Sequence, residues 1–109
     1  MNDPTPNLRP RLPQLDPVAV FAALGSKVRW PVIQTLADGR QMTTNEVARM
    51  LRRDPDGVGQ HLRVLDAAGV AKAYIGEDRR VVIYQIPAVF RPSPGVLDFG
   101  FCRVDLNQL

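Results

Sequence analysis

Apolar residues at helical spacing predict two short helices, joined by a tight turn, within residues 43–69. The first helix opens with Thr43 and, three residues later, Glu46, a capping box in which each side chain satisfies a free backbone amide. Its apolar positions are Val47, Met50 and Leu51. They share one face, so the sequence predicts a helix that packs on one side and is exposed on the other.

A second helix is predicted after the turn. Asp54 can serve as its N-cap, and Pro55 fits the first helical position, where a missing N–H costs nothing. The buried side is predicted to carry Val58, Leu62 and Leu65. Gly69 supplies the left-handed residue that ends the helix. A turn of three or four residues between two such helices is typical of a helix-turn-helix, whose second helix enters the major groove of DNA.

Two further helices are predicted before this pair. Residues 16–25 repeat the cap-then-proline start and end at a glycine. Ser26 can cap the next helix, Lys27 to Ala37, in which Pro31 removes one hydrogen bond and predicts a slight kink near Lys27.

The apolar period changes from 3.6 to 2 after Gly69, which predicts strands. Val70 to Ile75 and Arg80 to Ile86 form a hairpin with a polar tip at residues 76–79, and residues 40–42 form a brief additional strand. Helices followed by a basic-tipped hairpin make a winged helix. The predicted fold class is therefore α+β, a winged helix-turn-helix with a C-terminal strand.

Both ends of the chain differ from this middle domain, which spans residues 16–90. Residues 1–15 are proline-rich and predict an extended arm, either a solvated tail or a segment that grips DNA or a partner. Residues 91–109 contain a proline-rich linker and a predicted strand, Val96 to Leu106, that is apolar on both faces.

The C-terminal strand is assigned to dimerisation. A lone strand that exposes Phe99 and Phe101 would aggregate, so both rings need cover. We expect the strand and the Val18 to Leu24 helix to build the interface of a homodimer, with Cys102 inside it.

Composition excludes several classes of site. The chain has 109 residues, one cysteine and one histidine, so an internal disulfide and a zinc site of these residues are ruled out, and no cofactor is expected. The net charge of +3 permits a nucleic-acid partner without requiring one. The sequence has no run of 18 apolar residues and no signal pattern, so the cytoplasm is the expected location and no membrane is expected as a partner.

Three segments resemble the ArsR-like family of winged helix-turn-helix transcription regulators. They are ALGSKVRWPVIQTLADG, QHLRVLDAAGVA and GEDRRVVIYQI, and the resemblance covers about residues 18–86. It implies a homodimer that binds operator DNA, represses transcription and changes its grip when an effector binds. The identity of an effector is unknown.

The first helix of the motif, NEVARMLRR, lacks the cysteine pair of the metal-sensing members. Thiolate ligands cannot be replaced by these side chains, so the resemblance is to a non-metal-sensing regulator. The C-terminal strand also departs from the family, since many of its dimers use a C-terminal helix.

The exposed polar side chains of the second motif helix are candidates for base contact. Gln60 suits adenine and Arg63 suits guanine, and Asp56 could accept a hydrogen bond from cytosine. Gly57 and Gly59 weaken the helix. They indicate either close approach of its backbone to DNA or a frayed, loop-like start.

Phosphate contacts are expected elsewhere. Thr44 and Asn45 lie at the start of the first motif helix, where free amides suit a phosphate. Arg79 and Arg80 at the wing tip suit the narrow minor groove, although a solvated hairpin end is the alternative. Arg29 could reach a phosphate or brace the fold.

Two functions from different classes fit these features. Residues 40–53 hold four arginines against one glutamate, which favours DNA, whereas residues 54–69 hold three aspartates against one arginine, which would repel phosphate. The leading interpretation is a DNA-binding transcriptional regulator, and the alternative is a winged-helix module that binds protein. Catalysis by Cys102 and His61 lacks an orienting group, so the chain is not expected to be an enzyme.

Overall fold

Four α-helices and five short strands make up residues 12–108, the part of the chain that the computed structural model describes. In chain order they are α1 (Pro17–Leu24), α2 (Trp30–Leu36), β1 (Met42–Thr43), α3 (Thr44–Leu51), α4 (Pro55–Ala68), β2 (Lys72–Ile75), β3 (Val82–Gln85), β4 (Val96–Asp98) and β5 (Arg103–Asp105). Single turns of 3₁₀ helix lie at Ala88–Phe90 and Leu106–Gln108. Most of the predicted N-terminal arm lies outside the described residues. The α+β winged-helix prediction is confirmed.

The three-stranded sheet joins the wing to the helical part. Its strand order is β1-β3-β2 and both pairings are antiparallel, with Met42 opposite Tyr84 on one side of β3 and Ala73 opposite the same tyrosine on the other. Because β1 runs directly into α3, this pairing ties the start of α3 to the base of the wing.

One hydrophobic core lies under all the helices. The buried apolar face of α4, with Val58, Leu62 and Leu65, packs in it with side chains from α1, α2, α3 and the wing. The other large, fully buried side chains are Val20, Val32, Ile33, Leu36, Val47, Val70, Ile86, Phe90 and Leu97. Among the described residues no helix is long and apolar enough to cross a membrane.

Helix α2 starts later than the sequence predicted. Ser26 does act as a cap, since its Oγ accepts a hydrogen bond from the Arg29 N–H at 3.1 Å, but it caps a turn that precedes the helix. Regular helix begins at Trp30, which places Pro31 in the first turn. Lys27 therefore precedes the helix, so the predicted kink near Lys27 does not fall within α2, and Pro31 lies where a missing N–H costs nothing.

The C-terminal segment is a hairpin, so the prediction of one continuous strand from Val96 to Leu106 was wrong. The chain reverses at Gly100, whose φ is +92°, and the Asp98 carboxylate accepts a hydrogen bond from the Gly100 N–H at 2.8 Å. Glycine adopts this left-handed conformation without steric cost, and aspartate commonly bonds the backbone two residues on. Both signals are in the sequence, but the alternation of apolar residues through the turn hides them.

The two phenylalanines of this hairpin have different surroundings. Phe99 is buried in the core of its own chain, with its ring centroid 5.0 Å from that of Phe90. Phe101 is 39% exposed and packs edge-on against Phe21 of α1, with centroids 5.5 Å apart. The expected contact between the C-terminal segment and α1 therefore occurs within one chain, and Phe99 needs no partner to cover it.

Candidate nucleic-acid interface

The start of α3 is held by the predicted capping box. Thr43 Oγ1 accepts a hydrogen bond from the Glu46 N–H at 3.2 Å, and Glu46 Oε1 accepts one from the Thr43 N–H at 3.0 Å. The latter bond is the main reason that the pKa of Glu46 is lowered. The box fixes the first turn of α3, so Thr44 and Asn45 occupy defined positions at the surface.

Helix α4 is regular along its whole length, so a frayed or loop-like start does not occur. Asp54 is the N-cap, and its carboxylate accepts a hydrogen bond from the Asp56 N–H at 3.4 Å. Gly69 ends the helix with a φ of +82°. Of the two glycines inside it, Gly57 is exposed, whereas Gly59 is buried beside Thr44.

Two adjoining grooves bring together six of the seven predicted DNA contacts. The first, of about 360 Å³, lies between α3, α4 and the wing and contains Thr44, Asn45, Arg63 and Arg80. The second, of about 390 Å³, lies between α3 and the start of α4; it shares Thr44, Asn45 and Arg63 with the first and adds Asp56 and Gln60. The common residues make the two grooves one continuous face, which we call the α3–α4–wing face.

The seventh candidate, Arg79, lies at the exposed tip of the wing and lines neither groove. The tip is closed by a hydrogen bond from the Gly76 N–H to the Val81 carbonyl at 3.1 Å. Arg80 has a side chain that is 91% exposed, and its Nε lies 3.2 Å from the Asp78 carboxylate. So exposed an ion pair is weak, and it leaves the guanidinium able to turn to another anion.

Arg29 braces the fold. Its guanidinium donates a hydrogen bond to the Ala23 carbonyl near the end of α1 at 2.9 Å, which satisfies a carbonyl that helix geometry leaves free. Arg53 acts similarly on the loop before α2, where it donates to the Val28 carbonyl. Sequence reasoning left both roles of Arg29 open, because a brace and a phosphate contact require the same residue type.

His61 lies beside these two arginines. Burial lowers its pKa, and the nearby charges of Arg29 and Arg53 lower it further. The histidine lines neither groove of the α3–α4–wing face, so this basic cluster is separate from it.

Sequence reasoning missed part of the first groove and the position of Gly59. The walls of the groove include Thr43, Val81, Val82 and Tyr84, which became apparent only when β1 and β3 were seen to pair. Gly59 precedes Arg63 by four residues, a spacing that places the two on adjacent turns of one helix face. That spacing was the sequence signal from which the proximity of Gly59 and Arg63 could have been inferred.

Solved structures of transcriptional regulators share this fold. Reduced HlyU from Vibrio cholerae is 20% identical, with a TM-score of 0.55 over 63% of this chain and 70% of that one. A transcriptional regulator homologue from Pyrococcus horikoshii is 25% identical, with a TM-score of 0.54 over 61% and 67%. A possible transcriptional regulator from Methanosarcina mazei is 18% identical, with a TM-score of 0.55 over 64% and 63%.

No protein-family model matches the sequence, and no curated protein matches it. These structural similarities therefore show the fold alone. It is the winged helix that is found in transcriptional regulators.

The lowered pKa of His61 predicts a pH-dependent stability. A folded-state pKa below the ordinary 6.5 means that the unfolded chain takes up the proton first as the pH falls. The free energy of unfolding should therefore be highest above pH 6.5 and should decrease as the pH falls below that value. We expect the melting temperature of the wild type to fall more than that of His61→Gln between about pH 7.5 and about pH 5.5. If the melting temperatures of the wild type and of His61→Gln fall equally in circular-dichroism melts, the lowered pKa of His61 is contradicted.

Proposed function

We propose that the protein is an ArsR-like, non-metal-sensing transcriptional regulator that binds operator DNA as a homodimer and represses transcription in the cytoplasm. The observation that carries the proposal is the convergence of Thr44, Asn45, Gln60, Arg63 and Arg80 on the α3–α4–wing face. These five candidate contacts, scattered over the surface, would have argued against it.

Different parts of the α3–α4–wing face are assigned to different contacts with DNA. Helix α4 presents Gln60, Arg63 and Asp56 on consecutive turns of one exposed side, so these residues are assigned to base edges in the major groove. Thr44 and Asn45, at the amide-rich start of α3, are assigned to a backbone phosphate. Arg79 and Arg80 are assigned to the DNA that flanks the major-groove site.

A protein-binding winged helix is the second candidate. Two observations favour it: Asp54 and Asp56 place negative charge at the exposed start of α4, and Asp78 partly neutralises Arg80. Tyr74 and Ile75, which are 40% and 70% exposed on β2, offer an apolar surface on the wing. A module of this kind would show no salt-dependent binding to duplex DNA.

The wing should contribute affinity for DNA of any sequence. We expect the double variant Arg79→Ala, Arg80→Ala to weaken binding to every duplex and to lower the magnitude of the salt slope by about one to two phosphates. The measurement is fluorescence anisotropy with random duplex DNA at several salt concentrations.

The matched control for the wing variant is Lys27→Ala, Arg103→Ala. It removes the same charge from exposed residues outside both grooves. If the control lowers the salt slope as much as the wing variant does, the effect is one of net charge and the wing assignment fails.

The homodimer is proposed to form through a dimer patch that consists of Val18, Phe21 and Phe101. These side chains are 74%, 52% and 39% exposed, and Phe21 and Phe101 are in contact. Burial of such side chains against a second copy would contribute about 1.5–3 kcal/mol for each one that is fully covered. Phe99 and Leu97 lie in the core of their own chain and are not part of the patch.

Phe21→Asp should convert the dimer into a monomer, because a carboxylate would be buried without a partner in the apolar interface. The measurement is size-exclusion chromatography with light scattering. Ile75→Asp, which places the same charge on an exposed wing residue, should leave the dimer intact. A Phe21→Asp variant that remains dimeric would place the interface elsewhere.

A further inference from the structure

Gly59 lies at a position where a side chain would crowd a proposed DNA contact. A Cβ atom at Gly59 would be 3.3 Å from Arg63 Nη1 and 3.4 Å from Thr44 Cγ2. The first separation is tighter than nine in ten real Cβ contacts, so the guanidinium would have to shift by a few tenths of an ångström. Gly59 itself is buried, although it lines the groove at the start of α4.

The geometry of α4 explains this proximity. Side chains on a helix lean toward its N-terminus, so Arg63 reaches back over the turn that contains Gly59. Its guanidinium therefore lies beside Thr44, at the junction of the two grooves. The N-terminal turns of a recognition helix are the ones that contact base edges. The backbone of Arg63 lies beyond these turns, so its side chain must reach back to them.

Gly57 provides an internal comparison. It lies in the same helix, two residues earlier, and a Cβ atom there would have no atom within 4 Å. Both glycines weaken the helix relative to alanine, but only the Gly59 site contacts Arg63. Helix propensity is the same for the two glycines, so what distinguishes residue 59 is the crowding of Arg63 and Thr44 by a Cβ atom there.

We propose that Gly59 is a positioning residue for sequence recognition: its missing side chain lets Arg63 reach back to the N-terminal turns of α4 and join Gln60 at the base edges. This inference rests on the proposed DNA-binding function. It accounts for Gly59 in place of a close approach of the helix backbone to DNA. It also means that the contributions of Gly59 and Arg63 to DNA affinity are coupled.

A double-mutant cycle tests this coupling between Gly59 and Arg63. The best duplex is first selected from a random library with the wild-type protein, and the affinities of Gly59→Ala, Arg63→Ala and the double variant for it are then measured. Arg63→Ala should weaken binding about 5- to 150-fold. Gly59→Ala should weaken binding about threefold or more when Arg63 is present, and less than about 1.5-fold when it is absent.

Gly57→Ala is the matched control, since it makes the same chemical change in the same helix. Its effect on the affinity should be the same with and without Arg63, because a Cβ atom at residue 57 has no atom within 4 Å. Gly59→Ala should also relax the base preference at the position that Arg63→Ala relaxes. If Gly59→Ala does not fold, the cycle is repeated in a Thr44→Ser parent, from which the methyl group nearest to the new Cβ has been removed.

Three results would overturn the inference. Equal losses from Gly59→Ala with and without Arg63 would mean that the helix backbone, and not Arg63, requires the glycine. An unchanged affinity of Gly59→Ala, or a Gly57→Ala effect that depends on Arg63 as strongly as the Gly59→Ala effect does, would remove any special role of Gly59. Absence of wild-type binding to every duplex at low salt would instead overturn the proposed function, and this inference with it.

Discussion

The packing of α4 is the constraint on which the rest of the structure depends. Its buried residues Val58, Leu62 and Leu65 are each at most 1% exposed, and they lie in the core with side chains of every other helix. Burial of side chains of this size contributes about 1.5–3 kcal/mol each, so the orientation of α4 is strongly fixed. The opposite side of the helix then carries Asp56, Gln60 and Arg63 to the surface as a set.

The wing depends on the same packing through β1. This strand pairs with β3 and leads directly into α3, whose capping box then fixes Thr44 and Asn45 at the edge of the groove. Helix packing places α3 beside α4, and strand pairing places the wing beside α3. The α3–α4–wing face is therefore a consequence of ordinary core and sheet formation, and no separate element is needed to build it.

Much of the fold could be predicted from the sequence, because its local signals agree with the tertiary structure. The caps at Thr43 and Asp54, the proline at residue 55 and the terminal glycine at residue 69 all act as their chemistry predicts. The predictions failed where two signals competed. Gly100 and Asp98 turn the C-terminal segment, while the apolar alternation around them indicates one strand.

Most polar side chains of the candidate site were predictable from the sequence, but several of its wall residues and its arrangement were not. Residue type and position on a helix identify Gln60, Arg63 and Arg80 as possible contacts. Their convergence depends on strand pairing between residues some 40 positions apart in the chain, which no local pattern specifies. The relation between Gly59 and Arg63 depends in addition on the direction of one side chain, and Thr44 enters it through the contact of α3 with α4.

The central claim is that one face, formed by α3, α4 and the wing, binds DNA. A titration of the ¹⁵N-labelled protein with duplex DNA at low salt tests it most directly, because each backbone amide reports separately. The account predicts that the largest shift changes occur at Asn45, Gln60, Arg63 and the wing tip, with little change at His61 and Phe101. Changes centred on α1 and the C-terminal hairpin, or no changes at all, would contradict it.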